Sequence, residues 1–159
     1  MNIEYEYSFE VPSLAPFIEY CQDNNYTLTS QSEQKRTIYR DKNRTFMARI
    51  TENDCNGVIT KQLDFKEDKL VAGQIVGERK ETQPLEFSDD AAVLSILDFL
   101  SVTVDNTLIR KRQVYQKGDV KFELDEYSSP RHTFVVGIEG EKFAVDKVYS
   151  EVKDFPKLN

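Results

Sequence analysis

Tryptophan is absent from this 159-residue chain, histidine occurs once and cysteine twice. A lone His132, following Pro130 and Arg131 in a turn, is a poor basis for histidine catalysis. No Cys/His spacing fits a zinc site. Cys21 falls on the apolar side of an expected helix and Cys55 in a polar turn, with no disulfide pattern between them. Cys21 therefore reads as a packing residue, and the chain as a reduced, cytoplasmic protein. Glycine numbers only six, and none forms a P-loop, a dinucleotide fingerprint or a nucleophile elbow. No apolar run approaches the roughly 18 residues of a membrane span. The opening MNIEYEYSFEV has neither the basic nor the apolar region of a signal peptide. Basic residues are in deficit, 21 against 28 acidic, for a net charge of -7. That disfavours a nucleic-acid partner, which calls for a basic footprint.

What remains is a chain with 39 % apolar and 31 % charged residues, suited to one domain spanning 1–159. Alternation predicts strands over Ile3–Val11, Tyr26–Arg40, Thr45–Glu52, Val58–Lys66, within Gln74–Phe87, and over Thr107–Gln116, Val120–Tyr127 and Thr133–Glu139. Asn53-Asp54-Cys55-Asn56-Gly57 and Lys117-Gly118-Asp119 read as hairpin turns. Three helices are expected. One runs from Leu14 to about Asn24, capped by Ser13. One follows Ser88 and is apolar enough to be buried against a sheet. The last runs from Glu141 to about Val152, with Val145, Val148 and Val152 inward. The terminal DFPKLN reads as frayed. About eight strands and three helices, with no linker, predict an antiparallel α+β domain with a strongly curved or closed sheet.

The informative pattern is charge at i and i+2 inside these strands. Glu4 and Glu6 flank Tyr5, Arg110 and Arg112 flank Lys111, and Glu123 and Asp125 flank Leu124. Residues two apart on a strand share a face. Such a face is either solvated surface or a wet lining for a ligand rich in metal ions and phosphate oxygens. Paired carboxylates suit a hard divalent cation. Paired guanidinium groups suit phosphate. Arg49, Lys61, Lys66, Arg79 and Lys80 are further cationic candidates on the middle strands. Phe122 and Leu124 then point the other way, towards a helix.

Taken in order, EYEYS, QKRTIYRD, ARITE, IRKRQVY, FELDEY and FVVGIEG resemble the strand motifs of the CYTH domain. This is the triphosphate tunnel metalloenzyme superfamily, which includes class IV adenylyl cyclases, thiamine triphosphatases and inorganic triphosphatases. The resemblance covers roughly residues 1–150 and is most specific in the C-terminal half. It implies an eight-stranded antiparallel β-barrel closed into a tunnel. It implies Glu4, Glu6 and Glu139 as ligands of Mg²⁺ or Mn²⁺, with Glu4, Glu6 and Asp125 as the catalytic acids. The phosphate grip would be Arg49, Arg110 and Arg112, with Lys61 or Lys66 as the lysine of the fourth strand. Glu123 has no counterpart in the family pattern.

Three departures stand out. Ser8 replaces a motif lysine, Thr51 an arginine, and Gly137 a metal-binding glutamate. The resemblance thus implies a metal-dependent hydrolase of a small triphosphate compound. An adenylyl cyclase-like enzyme and a non-catalytic polyphosphate- or nucleotide-binding module are the alternatives, and both monomer and homodimer remain open.

Overall fold

The computed structural model describes residues 2–68 and 75–158. Nine strands and three helices follow in the order β1 (Asn2–Val11), α1 (Ala15–Asp23), β2 (Thr27–Arg40), β3 (Phe46–Cys55), β4 (Val58–Glu67), β5 (Val76–Glu81), β6 (Leu85–Phe87), α2 (Asp90–Phe99), β7 (Thr103–Lys117), β8 (Val120–Ser129), β9 (Thr133–Gly140) and α3 (Lys142–Val152). The sheet runs β3-β2-β7-β8-β9-β1-β5-β4, and β3 also pairs with β4, so eight antiparallel strands close into a barrel. This is the expected α+β architecture. A ninth strand, β6, rides on β4 outside the ring.

The barrel is polar inside and apolar outside. Strand alternation sends Phe9 and Val11 of β1, Phe122 and Leu124 of β8, and Val136 and Ile138 of β9 outward. There they pack with Phe17 and Cys21 of α1 and Val145 and Val152 of α3. A smaller core joins Ala48 and Leu63 to Val93 and Leu97 of α2 and to Val102. Removing these large side chains from water supplies the main driving force for folding. The interior of the barrel is thereby left free for charge.

Local chemistry explains the element ends. The β3–β4 hairpin turns on Asn56 and Gly57, both at positive φ (55° and 85°), with Asp54 accepting from the Gly57 N–H at 2.7 Å. The strands thus run closer to the turn than the five-residue stretch expected. Asp89, rather than Ser88, caps α2 by accepting from the Ala92 N–H. Ser13 does not cap α1 at the Ncap position, which is Leu14, although its hydroxyl accepts from Ala15 N–H. The fifth expected strand divides: β5 ends before Pro84 and β6 resumes after it. The start of that expectation, Gln74, lies outside the described residues.

Two expectations need correction. Only Val93 and Leu97 of α2 are buried, whereas Leu94, Ile96 and Phe99 are exposed, Phe99 by 87 %. Its apolar composition exceeds the stripe that a single neighbouring sheet can cover. The chain end does not fray through Leu158. Phe155 packs edge-on against Phe17, and the Leu158 N–H donates to the Glu10 carbonyl.

The barrel wall is uneven. β4 pairs with β3 along its whole length, from Phe46–Glu67 to Cys55–Val58. On its other edge β6 takes Lys61–Leu63, and β5 meets β4 in register only at Lys66–Glu81. Thr82 adds a backbone bond to the Phe65 carbonyl and a hydroxyl acceptor for the Phe65 N–H.

Candidate functional site: a charged tunnel

The interior of the barrel is a cavity of about 360 Å³. It is lined on every strand of the ring. Of the side chains singled out from sequence, Glu4, Glu6, Arg49, Lys66, Arg110, Arg112, Asp125 and Glu139 all face it. Lys61 does not. It lies an odd number of residues from Lys66 and so on the opposite face of β4. Its ammonium pairs with Asp90 at the start of α2, 2.8 Å away. Lys66 is therefore the inward lysine of this strand.

Sequence reading missed several lining residues: Arg36 of β2, Asp64 of β4, Glu81 of β5 and Lys121 of β8, together with the neutral Gln34, Asn53 and Tyr127. Glu123, left without a role, also faces the lumen, as does Arg79, which had been only one of several surface candidates. The signal for Lys121 and Glu123 was available, because both share the inward face with Asp125. Altogether seven basic and seven acidic side chains among the described residues line the cavity.

One wall is an arginine–carboxylate lattice. Asp125 accepts two bonds from Arg112, each 2.7 Å, and one from Arg110 Nη1 at 3.0 Å. Arg112 also pairs with Glu123. Burial alone would make Arg112 easier to deprotonate. The Glu123 and Asp125 carboxylates override it and hold the guanidinium above its ordinary range. Burial likewise opposes ionisation of Glu123, but Arg112, followed by Lys121 and Arg110, holds it down to about 2. Across the lumen, Arg49 pairs with Asp64 at 2.5 Å and lies 3.4 Å from Glu81. Burial disfavours its charge, and Asp64 more than restores it.

Two guanidinium groups of the lumen are incompletely satisfied. Arg110 is 3 % exposed, and its Nη2 has no acceptor. The rest of that guanidinium is held by Gln34, Asp125 and Tyr127. Arg36 makes no ion pair among the described residues and donates only its Nε to Thr51 Oγ1, at 2.9 Å. Its pKa is pushed down to about 9, first by burial and then by the charges of Arg110, Arg49 and Arg112. Unmade hydrogen bonds and unpaired charge at low exposure are costly. The two lie close enough for the charge of Arg110 to bear on Arg36. Thr51 stands where the family pattern has an arginine, and Arg36, its partner in the β2–β3 register, brings a guanidinium to that place from the next strand.

The adjoining wall, β9 and β1, carries the carboxylates expected to hold metal. Glu4 and Glu6 of β1 face the lumen beside Glu139 of β9, which pairs with Glu6 in register. Glu4 and Glu139 share a hydrogen bond. Burial, then the charge of Glu123 and this bond, raise Glu139 to about 9, although Lys121 opposes the shift. Burial opposes the charge of Glu4, yet Glu139 and Lys66 hold it below the usual carboxylate range.

These carboxylates are not grouped around an open point. The Lys66 ammonium contacts Glu4 and lies 3.5 Å from Glu6 and 3.9 Å from Glu81. Lys121 contacts Glu139 and lies 3.4 Å from Glu123. At Gly137 an added Cβ would stand 3.3 Å from Glu6 Oε1 and 3.5 Å from the Glu123 Cβ, so a side chain there would crowd Glu6. Among the described residues no three Asp, Glu, His or Cys side chains are gathered to hold a metal ion. The donor set in this arrangement does not fit the Mg²⁺ or Mn²⁺ that the resemblance implies.

No family model and no curated protein matches the sequence. Solved structures do match the fold. PH1819 from Pyrococcus horikoshii superposes with a TM-score of 0.72 at 19 % identity, over 98 % of this chain and 92 % of that one. HpAC1 from Hippeastrum, an adenylyl cyclase candidate with a dominant triphosphatase activity, gives 0.68 at 13 % identity, over 95 % and 87 %. A chain of the Mediator head module of Schizosaccharomyces pombe gives 0.69 at 11 % identity, over 98 % and 97 %. At such identities the likeness is one of fold, and it agrees with the closed antiparallel barrel described above. No helix among the described residues is long and apolar enough to cross a membrane.

Proposed function

We propose that the tunnel binds a small triphosphate compound, inorganic or organic, and supports hydrolysis of its phosphoanhydride. The observation that carries this reading is the combination of Arg110 Nη2, which has no acceptor, and Arg36, which has no ion pair among the described residues, inside an otherwise neutralised lumen. A phosphate oxygen would satisfy both at once, with Arg49 and Arg112 adding positive potential. The same groups would stabilise charge building on the leaving oxygen, which is the main requirement of phosphoryl transfer. Asp125 fixes the grip by bridging Arg110 and Arg112. Hydrolysis needs only this grip and a water, whereas cyclisation also needs an oriented ribose. The lysine-filled carboxylate wall favours a second reading, binding without turnover.

The test is to incubate the protein with tripolyphosphate, thiamine triphosphate and ATP while measuring phosphate and cyclic AMP, and to measure tripolyphosphate binding by calorimetry. Phosphate release is the expected result. Binding with no product supports the second reading, and cyclic AMP from ATP would replace hydrolysis by cyclisation. Arg36→Met should weaken tripolyphosphate binding by roughly tenfold or more, the worth of one charge-assisted contact. Unchanged affinity in that variant would remove Arg36 from the site.

A further inference from the structure

We propose that Lys66 and Lys121 are resident counter-ions that replace divalent metal in this tunnel, so that the anionic ligand enters and is held metal-free. The inference rests on the triphosphate reading above for its ligand, and on the lysine placement for the rest.

The lysines are built into the wall. The Lys66 side chain is 4 % exposed, contacts Glu4, and has Glu6 and Glu81 within 4 Å. Those three carboxylates come from two strands, β1 and β5, on the far side of the β4 edge. An ammonium with three donors suits three oxygens. Mg²⁺ and Mn²⁺ want about six oxygens at roughly 2.1 Å. To enter, a metal would have to displace a tethered charge into a lumen already holding five arginines. The remaining carboxylate on this wall, Glu139, is held by Lys121. Gly137 supplies no oxygen, and the space its side chain would take lies against Glu6 and Glu123. Each carboxylate that could ligate a metal thus already has a covalently delivered cation.

The lumen gains selectivity from this. Its carboxylates are neutralised whether or not metal is present, and the open positive positions, Arg36 and Arg110 Nη2, lie on the arginine side. Free Mg²⁺ then acts only on the ligand, by competing for its oxygens in solution.

Two measurements test this. Wild-type protein is titrated with Mn²⁺ alone and the free-ion paramagnetic resonance signal followed. The expected result is an undiminished signal at equimolar protein. Loss of the signal into a bound form overturns the proposal, whatever the ligand result. Lys66→Met should gain Mn²⁺ affinity by about tenfold or more, the scale on which groups around a metal site act. A folded variant without that gain also overturns it. Should Lys66→Met fail to fold, the wild-type titration decides alone. In parallel, tripolyphosphate binding is measured by calorimetry in EDTA and in Mg²⁺. Affinity in EDTA equal to or tighter than that in Mg²⁺ is expected, and binding that requires Mg²⁺ overturns the metal-free ligand. No tripolyphosphate binding in either buffer, with Mn²⁺ still unbound, removes the triphosphate reading and leaves the lysine counter-ions standing.

Discussion

Replacing Asp125 by Asn should move stability and ligand affinity in opposite directions. The carboxylate accepts 2.7 Å bonds from Arg112 and a 3.0 Å bond from Arg110, and Asp125 is 3 % exposed. Removing one partner of such a buried pair leaves guanidinium charge uncompensated, at a cost of about 3 kcal/mol. For a chain of this size that lowers the melting temperature by roughly 6–12 °C. The same change removes a negative charge beside the proposed phosphate. An oxygen accepting from Arg110 Nη2 would stand about 6 Å from the Asp125 carboxylate, given ordinary hydrogen-bond lengths. At an effective dielectric of about 20, that repulsion is about 3 kcal/mol per unit charge. Doubling the effective dielectric to about 40 for an incompletely buried site halves it, which leaves roughly a tenfold tightening of tripolyphosphate. Denaturant unfolding and calorimetry in EDTA read the two quantities on one sample. If affinity falls along with stability, or does not change, the anion does not lodge at the Arg110–Arg112 pair.

Gly140 sits at φ +144°, and a Cβ there would stand 1.8 Å from the Asp119 carbonyl oxygen. Gly140→Ala should therefore cost about 3 kcal/mol or more in denaturant unfolding, and a loss below about 0.5 kcal/mol would refute that close approach. Glu139 ionises at about 9 in the folded chain against an ordinary 4.5, so folding takes up a proton between these values. Its contribution to stability is fully present below about pH 4.5 and is lost as pH rises through 9. Glu139→Gln should accordingly gain on wild type by about 1–2 kcal/mol between pH 5 and pH 9, and parallel stability–pH curves would count against the shared proton.

The fold was legible where one strand face is apolar and the other charged. In β8, Phe122 and Leu124 alternate with Glu123 and Asp125, which sets both the helix-facing side and the lumen side. The same holds for Tyr5 and Tyr7 against Glu4 and Glu6. β2 offers no such signal, because TSQSEQKRT is polar on both faces. Arg36 was invisible as a lining residue for that reason, although Arg40 and Lys35 are as basic. Lys61 and Lys66 could be separated only once Leu63 and Phe65 were seen to pack outward, which sets Lys66 inward. The apolar wealth of α2 misled differently. It reports hydrophobicity, whereas burial depends on how much sheet lies beneath the helix. The pairing of Lys66 with Glu4 and Glu6 was not legible at all, since it depends on β4 and β5 coming to lie beside β1, which is distant in sequence.

The uneven wall has a consequence of its own. β4 and β5 meet in register at one residue pair, Lys66–Glu81, and Lys66 reaches over that junction to Glu4 and Glu6. The lysine thus works as a latch on a seam. A ligand that pulled the ammonium onto itself would loosen the barrel where its wall is thinnest. A ligand gripped by Arg36 and Arg110, on β2 and β7, leaves the latch shut. The barrel's mechanics and its chemistry therefore select the same side of the lumen, and the thin junction is itself a reason for the arginine wall to carry the anion.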